Sequence, residues 1–301
     1  MVDNNIYYVG IDHGNHLIKS VDCIFENGVE RQASKPTFAT NTLVYDGEYY
    51  KIGERRNSVK VSKTNDDDYY LLTLATLAKE CQCGKIPNGA DIVLGVGLPL
   101  KHFAMQRKMF VRYLKRDEQP VIFKYEDVEY SFTIKNVYVF PQCYAAVADK
   151  LADMKGEYLI VDIGSWTIDI MTLEDGVPVE SKCETFTESL ISVIQEIKGK
   201  SSEKFGKEIP DRVIMTYIND YNAQFDKKYT NLMDDVLENF ANRIVGLLKE
   251  NGHDTDFANV IYVGGGAHMM GFYAKGGPNI KYITDIKANA KGYEYLARQM
   301  A

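Results

Sequence analysis

One pattern with the chemistry of an anion site occurs twice in this chain. Tyr7-Tyr8-Val9-Gly10-Ile11 runs into Asp12-His13-Gly14-Asn15, and Tyr158-Leu159-Ile160-Val161 runs into Asp162-Ile163-Gly164-Ser165-Trp166-Thr167-Ile168-Asp169. Each is a short β-branched and aromatic run that ends in Asp-x-Gly. A strand ending in such a turn aims backbone N–H groups at an anion, and glycine lets the backbone come close. A carboxylate beside phosphates repels them unless a cation lies between. The aspartates therefore imply Mg²⁺, held through the waters that this ion keeps. One copy alone reads equally well as an ordinary hairpin turn. Two copies about half of the 301-residue chain apart, the second extended to Asp-x-Gly-x-x-Thr-x-Asp, favour two similar halves, each offering a hairpin to one nucleotide.

The elements that must carry these turns follow from the patterning around them. Residues 6–11, 17–25 and about 29–33 read as an antiparallel meander with Asn27-Gly28 as a hairpin turn, and Asp46-Gly47 marks another hairpin. The acidic run Asn65-Asp66-Asp67-Asp68 leads into a largely apolar helix over 69–79. The run suits a helix cap and solvated loop better than a metal site. Residues 92–96 form a buried strand, broken by Gly97-Leu98-Pro99 and followed by a helix near 101–115. Strands are expected at 120–126, 128–134 and 136–140, after which Pro141-Gln142 opens a helix from residue 143 to about 154. The second half repeats the plan. Its strands are 158–163, 166–173 and 177–183, with Asp175-Gly176 as a turn, and its helices lie near 187–198, 200–206 and 230–251. A strand over 260–263 enters Gly264-Gly265-Gly266, and a last helix covers 288–300. This is an α/β pattern with mixed sheets. With no Gly-, Ser- or Pro-rich linker between the halves, they are expected to share a cleft.

Composition narrows the functions. Hydrophobic content of 45% and charged content of 26% are those of a soluble globular protein with a sizeable core. A net charge of −7 argues against a general basic surface for nucleic acid, so any link to DNA would run through an adaptor protein. Of five cysteines (Cys23, Cys81, Cys83, Cys143 and Cys183) only Cys81-Gln82-Cys83 is closely spaced. With no second pair to complete a zinc site, thiols in a reducing cytosol are the better account. Met1-Val2-Asp3-Asn4-Asn5 lacks the features of a signal peptide, and no stretch approaches the roughly 20 apolar residues of a membrane span. A cytoplasmic protein without membrane contact is expected.

These residues resemble the superfamily of actin, sugar kinases and heat-shock-chaperone ATPases, with five motifs in the family's order across essentially the whole chain. Asp12-His13-Gly14-Asn15 looks like its first phosphate loop, with Lys19 where actins carry a phosphate-contacting lysine. Pro141-Gln142-Cys143-Tyr144-Ala145-Ala146 looks like the first interdomain connection, and Asp162 to Asp169 like the second phosphate loop. Gly264-Gly265-Gly266-Ala267-His268 looks like the adenosine loop. Asp285 with Ala288-Asn289-Ala290-Lys291-Gly292-Tyr293 looks like the second connection. Within the superfamily the chain is most similar to the bacterial plasmid-segregation actins, the ParM/StbA group, in its length, its Gly97-Leu98-Pro99 and its Ala-Asn-Ala-Lys-Gly-Tyr ending. Two features depart from the pattern. Trp166 stands where a small residue is usual, and Thr187-Glu188-Ser189-Leu190 lacks the glycine often found at the start of that helix.

The resemblance implies an actin-like fold: residues 1–145 as a first domain to which 287–301 return, 146–286 as a second, and a nucleotide cleft between them. It implies hydrolysis of ATP, with GTP as an alternative, in a protein that polymerises on ATP binding and segregates DNA through an adaptor. Phosphoryl transfer needs charge neutralisation and positioning more than covalent chemistry. Asp12 and Asp162 would hold Mg²⁺ through water, and Lys19 would meet a β-phosphate oxygen. Backbone amides of Gly14, Asn15, Gly164, Ser165, Trp166 and Thr167 would cradle the phosphates. Gln142 would orient the attacking water, its alternative being a helix-capping role, and Asp162 would take up the proton through water. Asp169 suits a structural role better than a catalytic one. Gly264, Gly265, Gly266 and His268 would form the base and ribose platform, although a single histidine is often incidental. The alternative is a non-polymerising small-molecule kinase of the same superfamily, which needs an acid at the first connection where this chain has Gln142. A chaperone ATPase would need a substrate-binding domain after the nucleotide core.

Overall fold

The computed structural model describes residues 6–55, 57, 62–253, 255–274 and 276–300. The stretch Met1-Val2-Asp3-Asn4-Asn5 lies outside them. In chain order the elements are β1 (Ile6–His13), β2 (Leu17–Lys19), β3 (Ile24–Glu26), β4 (Val29–Gln32), β5 (Thr42–Tyr45), β6 (Glu48–Ile52), α1 (Asp68–Gln82), β7 (Asp91–Leu98), α2 (Leu100–Lys115), β8 (Val121–Tyr125) and β9 (Val128–Pro141). After a 3₁₀ helix, Ala145–Asp153, come β10 (Glu157–Ile163), β11 (Ile168–Glu174), β12 (Val177–Pro178), β13 (Glu184–Phe186), α3 (Leu190–Phe205), α4 (Asp211–Asn219), α5 (Lys227–Glu250), β14 (Asn259–Val263), α6 (Ala267–Tyr273), β15 (Ile280–Tyr282) and α7 (Ala288–Gln299). The chain divides into two compact units, residues 1–149 with 287–301, and residues 150–286.

Among the described residues, the first unit holds one nine-stranded sheet in the order β3-β2-β1-β7-β9-β8-β5-β6-β4. β1, β7 and β9 run parallel at its centre, and the flanking pairs are antiparallel. Side chains alternate along the central strands, and each face has its own cover. Val9 and Ile11 of β1 and Ile92, Leu94, Val96 and Leu98 of β7 join a core with Leu74 and Leu77 of α1 and Phe110 and Leu114 of α2. The intervening residues Gly10 and Gly95 face α7. A Cβ on Gly95 would collide with the carbonyl oxygen of Tyr293, and one on Gly10 with that of Ala290. Glycine at these points is what allows α7 to lie directly on the sheet.

Among its described residues, the second unit has a six-stranded mixed sheet in the order β12-β11-β10-β14-β15, with β13 also paired to β11. β10, β14 and β15 are parallel, and β11 is antiparallel to β10. Its core joins Val161 and Ile163 of β10 and Val260 of β14 to Val193 and Ile197 of α3 and to Leu237 and Ile244 of α5. Each unit thus repeats one motif. A central strand ends in a hairpin with its antiparallel neighbour and lies beside a parallel strand on its other edge.

Several sequence expectations are corrected. Asn27-Gly28 joins no hairpin, since β3 and β4 lie at opposite edges of the sheet; the Asn27 amide is spent on tertiary bonds instead. The two strands expected over 128–140 are one strand with an irregularity, because Lys135 is passed over between the Ile92–Ile134 and Val93–Asn136 pairs, as in a β-bulge. Pro141-Gln142 opens no α-helix: Pro141 ends β9, the Gln142 N–H donates to the Leu98 carbonyl at 3.0 Å, and Cys143 then reverses the chain with φ of 66°. Of the strand expected over 177–183 only β12 lies on β11; a 3₁₀ turn over Glu180–Lys182 takes the rest, and β13 pairs with β11 after it. The helices near 187–206 are one, α3, and α4 is a further helix. Asp46-Gly47 and Asp175-Gly176 do form tight turns, with φ positive at both residues of each. Among the described residues no helix is long and apolar enough to cross a membrane.

Candidate functional site

The chemistry-bearing residues of the first unit gather beyond the carboxyl ends of its parallel strands, where open α/β sheets commonly bind ligands. Asp12 is the penultimate residue of β1 and sits directly opposite Lys19 of β2. The Lys19 ammonium donates to Asp12 Oδ2 at 2.8 Å, with the carboxylate buried. Asp12 Oδ1 is buried without a hydrogen-bond partner. Gln142, half-buried, follows the end of β9, two strands from β1.

The loop between β1 and β2 is fixed from below by residues that its own sequence does not contain. Asn27 Nδ2 donates to the Gly14 carbonyl at 2.8 Å and to the Tyr69 hydroxyl at 3.2 Å, and that hydroxyl donates to Asn15 Oδ1 at 3.4 Å. His13 is fully buried and packs edge-on to the rings of Tyr69 and Phe110. The Thr73 hydroxyl gives its proton to the Tyr69 carbonyl at 2.7 Å, so in the 2.8 Å bond between His13 Nε2 and Thr73 Oγ1 the histidine is the donor. Burial, reinforced by the charge of Lys63, pushes the imidazole well below its usual range, and it is neutral.

The second unit builds the matching corner with a different charge pattern. Asp162 ends β10 one residue before its last position and stands directly opposite Asp169 of β11, whose other neighbour is Thr185 of β13. The Thr185 hydroxyl donates to Asp169 Oδ1 at 2.6 Å. Burial, with the nearby Asp162 carboxylate adding to it, raises the Asp169 carboxyl to about 7 against the opposing pull of the Thr185 and Thr167 hydroxyls. The turn over Gly164, Ser165, Trp166 and Thr167 is closed by a 2.9 Å bond from Gly164 N to the Thr167 carbonyl. The first amides of α3 hold it from behind: Leu190 N and Ile191 N donate to the carbonyls of Gly164 and Ser165. Ser189 and Ser192 cap that helix reciprocally, so its start needs no glycine. Trp166 is half-buried within the turn.

Gly264, Gly265 and Gly266 pack onto the same corner. Gly264 has φ of 81°, and a Cβ there would collide with Asp162 Oδ1. Gly266 N donates to the Ile163 carbonyl at 3.1 Å. His268, on α6, donates from Nδ1 to the Ile218 carbonyl at 3.0 Å, and its ring stacks on Tyr221, with centroids 5.3 Å apart. Tyr221 in turn stacks on Phe272 at 4.1 Å.

The structure therefore brings Asp12 to Lys19 and the Gly14-Asn15 turn, and brings Asp162 to the Gly164–Thr167 turn and the three glycines. Asn27, Lys63, Tyr69, Thr185 and Tyr221 were not singled out from the sequence. The Asn-Gly pair at 27 pointed to a turn, and the others carry no local signal. Mg²⁺ suits this donor set. Among the described residues no group of three His, Cys, Asp or Glu could hold a metal by itself. A buried carboxylate oxygen without a partner on Asp12 suits an ion reached through water and completed by phosphate oxygens.

A family model of the N-terminal domain of actin-like proteins matches residues 10–144, and one of the C-terminal part of an archaeal MreB-like actin homologue matches residues 160–273. No curated protein matches the sequence. Among solved structures, Ta0583, an archaeal actin homolog, has a TM-score of 0.80 at 22% identity over 98% of this chain and 99% of that one. The same homolog in complex with ADP gives 0.77 at 22% identity over 97% and 99%. A 15-stranded ParM filament from Clostridium botulinum gives 0.74 at 19% identity over 98% and 99%. The fold is actin-like, with two mixed sheets flanked by helices.

Proposed function

The chain belongs to the actin-like proteins, and from that premise we propose that it is a Mg²⁺-dependent ATPase that polymerises on binding ATP and moves or segregates DNA through an adaptor protein. One observation carries the nucleotide reading. Both units end the central strand of a mixed sheet in a buried aspartate, Asp12 and Asp162, each followed by a glycine turn. The ADP complex of the archaeal homolog supports a nucleotide at this fold. The ParM filament supports self-assembly.

In this reading each residue has a defined task. The amides of the Gly14-Asn15 and Gly164–Thr167 turns donate to phosphate oxygens, and Lys19 leaves Asp12 to meet the β-phosphate. Asp12 and Asp162 would hold Mg²⁺ through its water shell, and the ion would supply charge neutralisation for the phosphates. Gln142 orients the attacking water by donating and accepting at its amide, and Asp162 receives the proton through water. Gly264, Gly265, Gly266 and His268 form the base and ribose platform. Binding energy from the γ-phosphate shifts the population toward the polymerising state, and hydrolysis withdraws it. The net charge of −7 favours reaching DNA through an adaptor over direct binding.

The test is to add Mg-ATP to micromolar protein, follow light scattering and phosphate release together, and then sediment. Scattering that rises before phosphate appears, with protein in the pellet, is expected. Phosphate release without sedimenting polymer across ATP, GTP and non-hydrolysable analogues would refute the filament. Phosphate transfer only in the presence of a hydroxylated small molecule would favour the kinase.

A further inference from the structure

Lys63 lies between β6 and α1 and is only 7% exposed. Its ammonium donates to the His13 carbonyl at 2.7 Å and reaches the Gly97 carbonyl at 3.5 Å, so one cation ties the end of β1 to the end of β7. The rings of Tyr69 and Phe110 flank it, with Nζ 5.5 and 5.9 Å from their centroids. Taking an ammonium out of water costs several kcal/mol, which two carbonyls and two ring faces only partly offset. A methionine would fill such a position at lower cost. Burial accordingly lowers this lysine to about 8, with Lys19 adding to the shift and Asp12 opposing it. What the charge accomplishes is specific to the peptide it holds. The His13–Gly14 bond is trans, since no described peptide is cis, and the carbonyl and N–H of a trans peptide point in opposite directions.

We propose that Lys63 is a positioning residue for the first phosphate loop. By holding the His13 carbonyl on one side, it turns the Gly14 N–H to the other, where a phosphate oxygen accepts from it. The side chain of the same residue is held by Thr73, so both the peptide and the imidazole at the loop entrance are fixed before any ligand arrives. Preorganised donors of this kind act without reorganisation when the anion binds. The cation also adds a fixed positive charge beneath the loop, on the side away from the ligand. This inference rests on the nucleotide-binding reading above.

The experiment measures binding of ATP, ADP and adenosine to the full chain, in the wild type, Lys63→Met and Lys63→Arg. In Lys63→Met, ATP and ADP are expected to bind about tenfold more weakly or worse, the loss typical of a charged hydrogen bond. Adenosine, which lacks phosphates, should bind as to the wild type, and Lys63→Arg should restore most of the loss. Unchanged ATP affinity in Lys63→Met would overturn the proposal, and so would a parallel loss of adenosine, which marks a general structural defect. If Lys63→Met lacks a cooperative thermal transition, Lys63→Ala, which also has no donor, carries the same comparison under the same criteria. A wild type that binds none of the three ligands would refute the nucleotide reading itself, and the role of Lys63 with it.

Discussion

Asp162 and Asp169 stand directly opposite each other across β10 and β11, at the place in the second unit where Asp12 meets Lys19 in the first. The repeated hairpin therefore keeps its geometry and inverts one charge. The first corner is neutralised internally by the Asp12–Lys19 bond, whereas the second pairs two carboxyl groups and lifts one of them toward neutral pH. The doubled pattern is thus one scaffold with two electrostatic settings.

The raised Asp169 carboxyl makes stability depend on pH. Its folded value, about 7, stands above the ordinary carboxylate range. Protonation therefore aids folding: the contribution is full below about pH 4 and is lost as the pH rises through about 7. Thermal unfolding without nucleotide, in EDTA, should show the wild type losing stability between pH 5 and 8 relative to Asp169→Asn, which holds the neutral state throughout. Parallel curves for the two proteins would show that Asp169 is already ionised across this range.

Lys19 is expected to serve the ligand more than the fold. Its side chain is 19% exposed and bonded to a buried carboxylate. Replacing it by methionine should weaken both ATP and ADP about tenfold in calorimetric titration, because both carry the β-phosphate it would meet. An ADP affinity equal to wild type would remove Lys19 from the phosphate site.

What the sequence showed and what it hid divide along physical lines. The two hairpins and α1 were legible because their signals are local: β-branched runs ending in Asp-x-Gly, and an acidic run before an apolar one. The supports of the first loop were not, because Asn27, Lys63 and Tyr69 reach it from distant segments through bonds that leave no periodicity. Asn27-Gly28 shows the limit most clearly. The dipeptide is a strong turn signal, yet the asparagine amide goes to the Gly14 carbonyl and the hairpin never forms. Gln142 was misplaced on a helix for a related reason, since Pro141 suits a first helical turn but the adjoining strand takes the next N–H.

Two glycine substitutions should move stability in opposite directions. Gly95→Ala puts a Cβ against the Tyr293 carbonyl and should cost about 1–3 kcal/mol by forcing α7 off the sheet. Gly199→Ala, within α3, meets nothing within 4 Å and should gain about 0.5–1 kcal/mol by restricting the unfolded chain. Urea titrations of both variants read these changes directly. A stable Gly95→Ala would mean that α7 does not depend on the close approach.

Gln142 separates binding from hydrolysis. It lies beyond the end of β9, outside both glycine turns, and its backbone N–H is fixed by Leu98. Its amide can therefore be removed without disturbing the loops that would hold the phosphates. Gln142→Ala should bind ATP as the wild type does while its single-turnover phosphate release slows by about tenfold or more, since a water that is no longer oriented costs rate and not affinity. If filaments are stabilised by the γ-phosphate, the same variant should also form polymer that outlasts the wild type's after a fixed dose of ATP. Unchanged phosphate release would assign the water to another residue. Slowed release with equally short-lived polymer would uncouple hydrolysis from disassembly, and that part of the proposed function would have to be withdrawn.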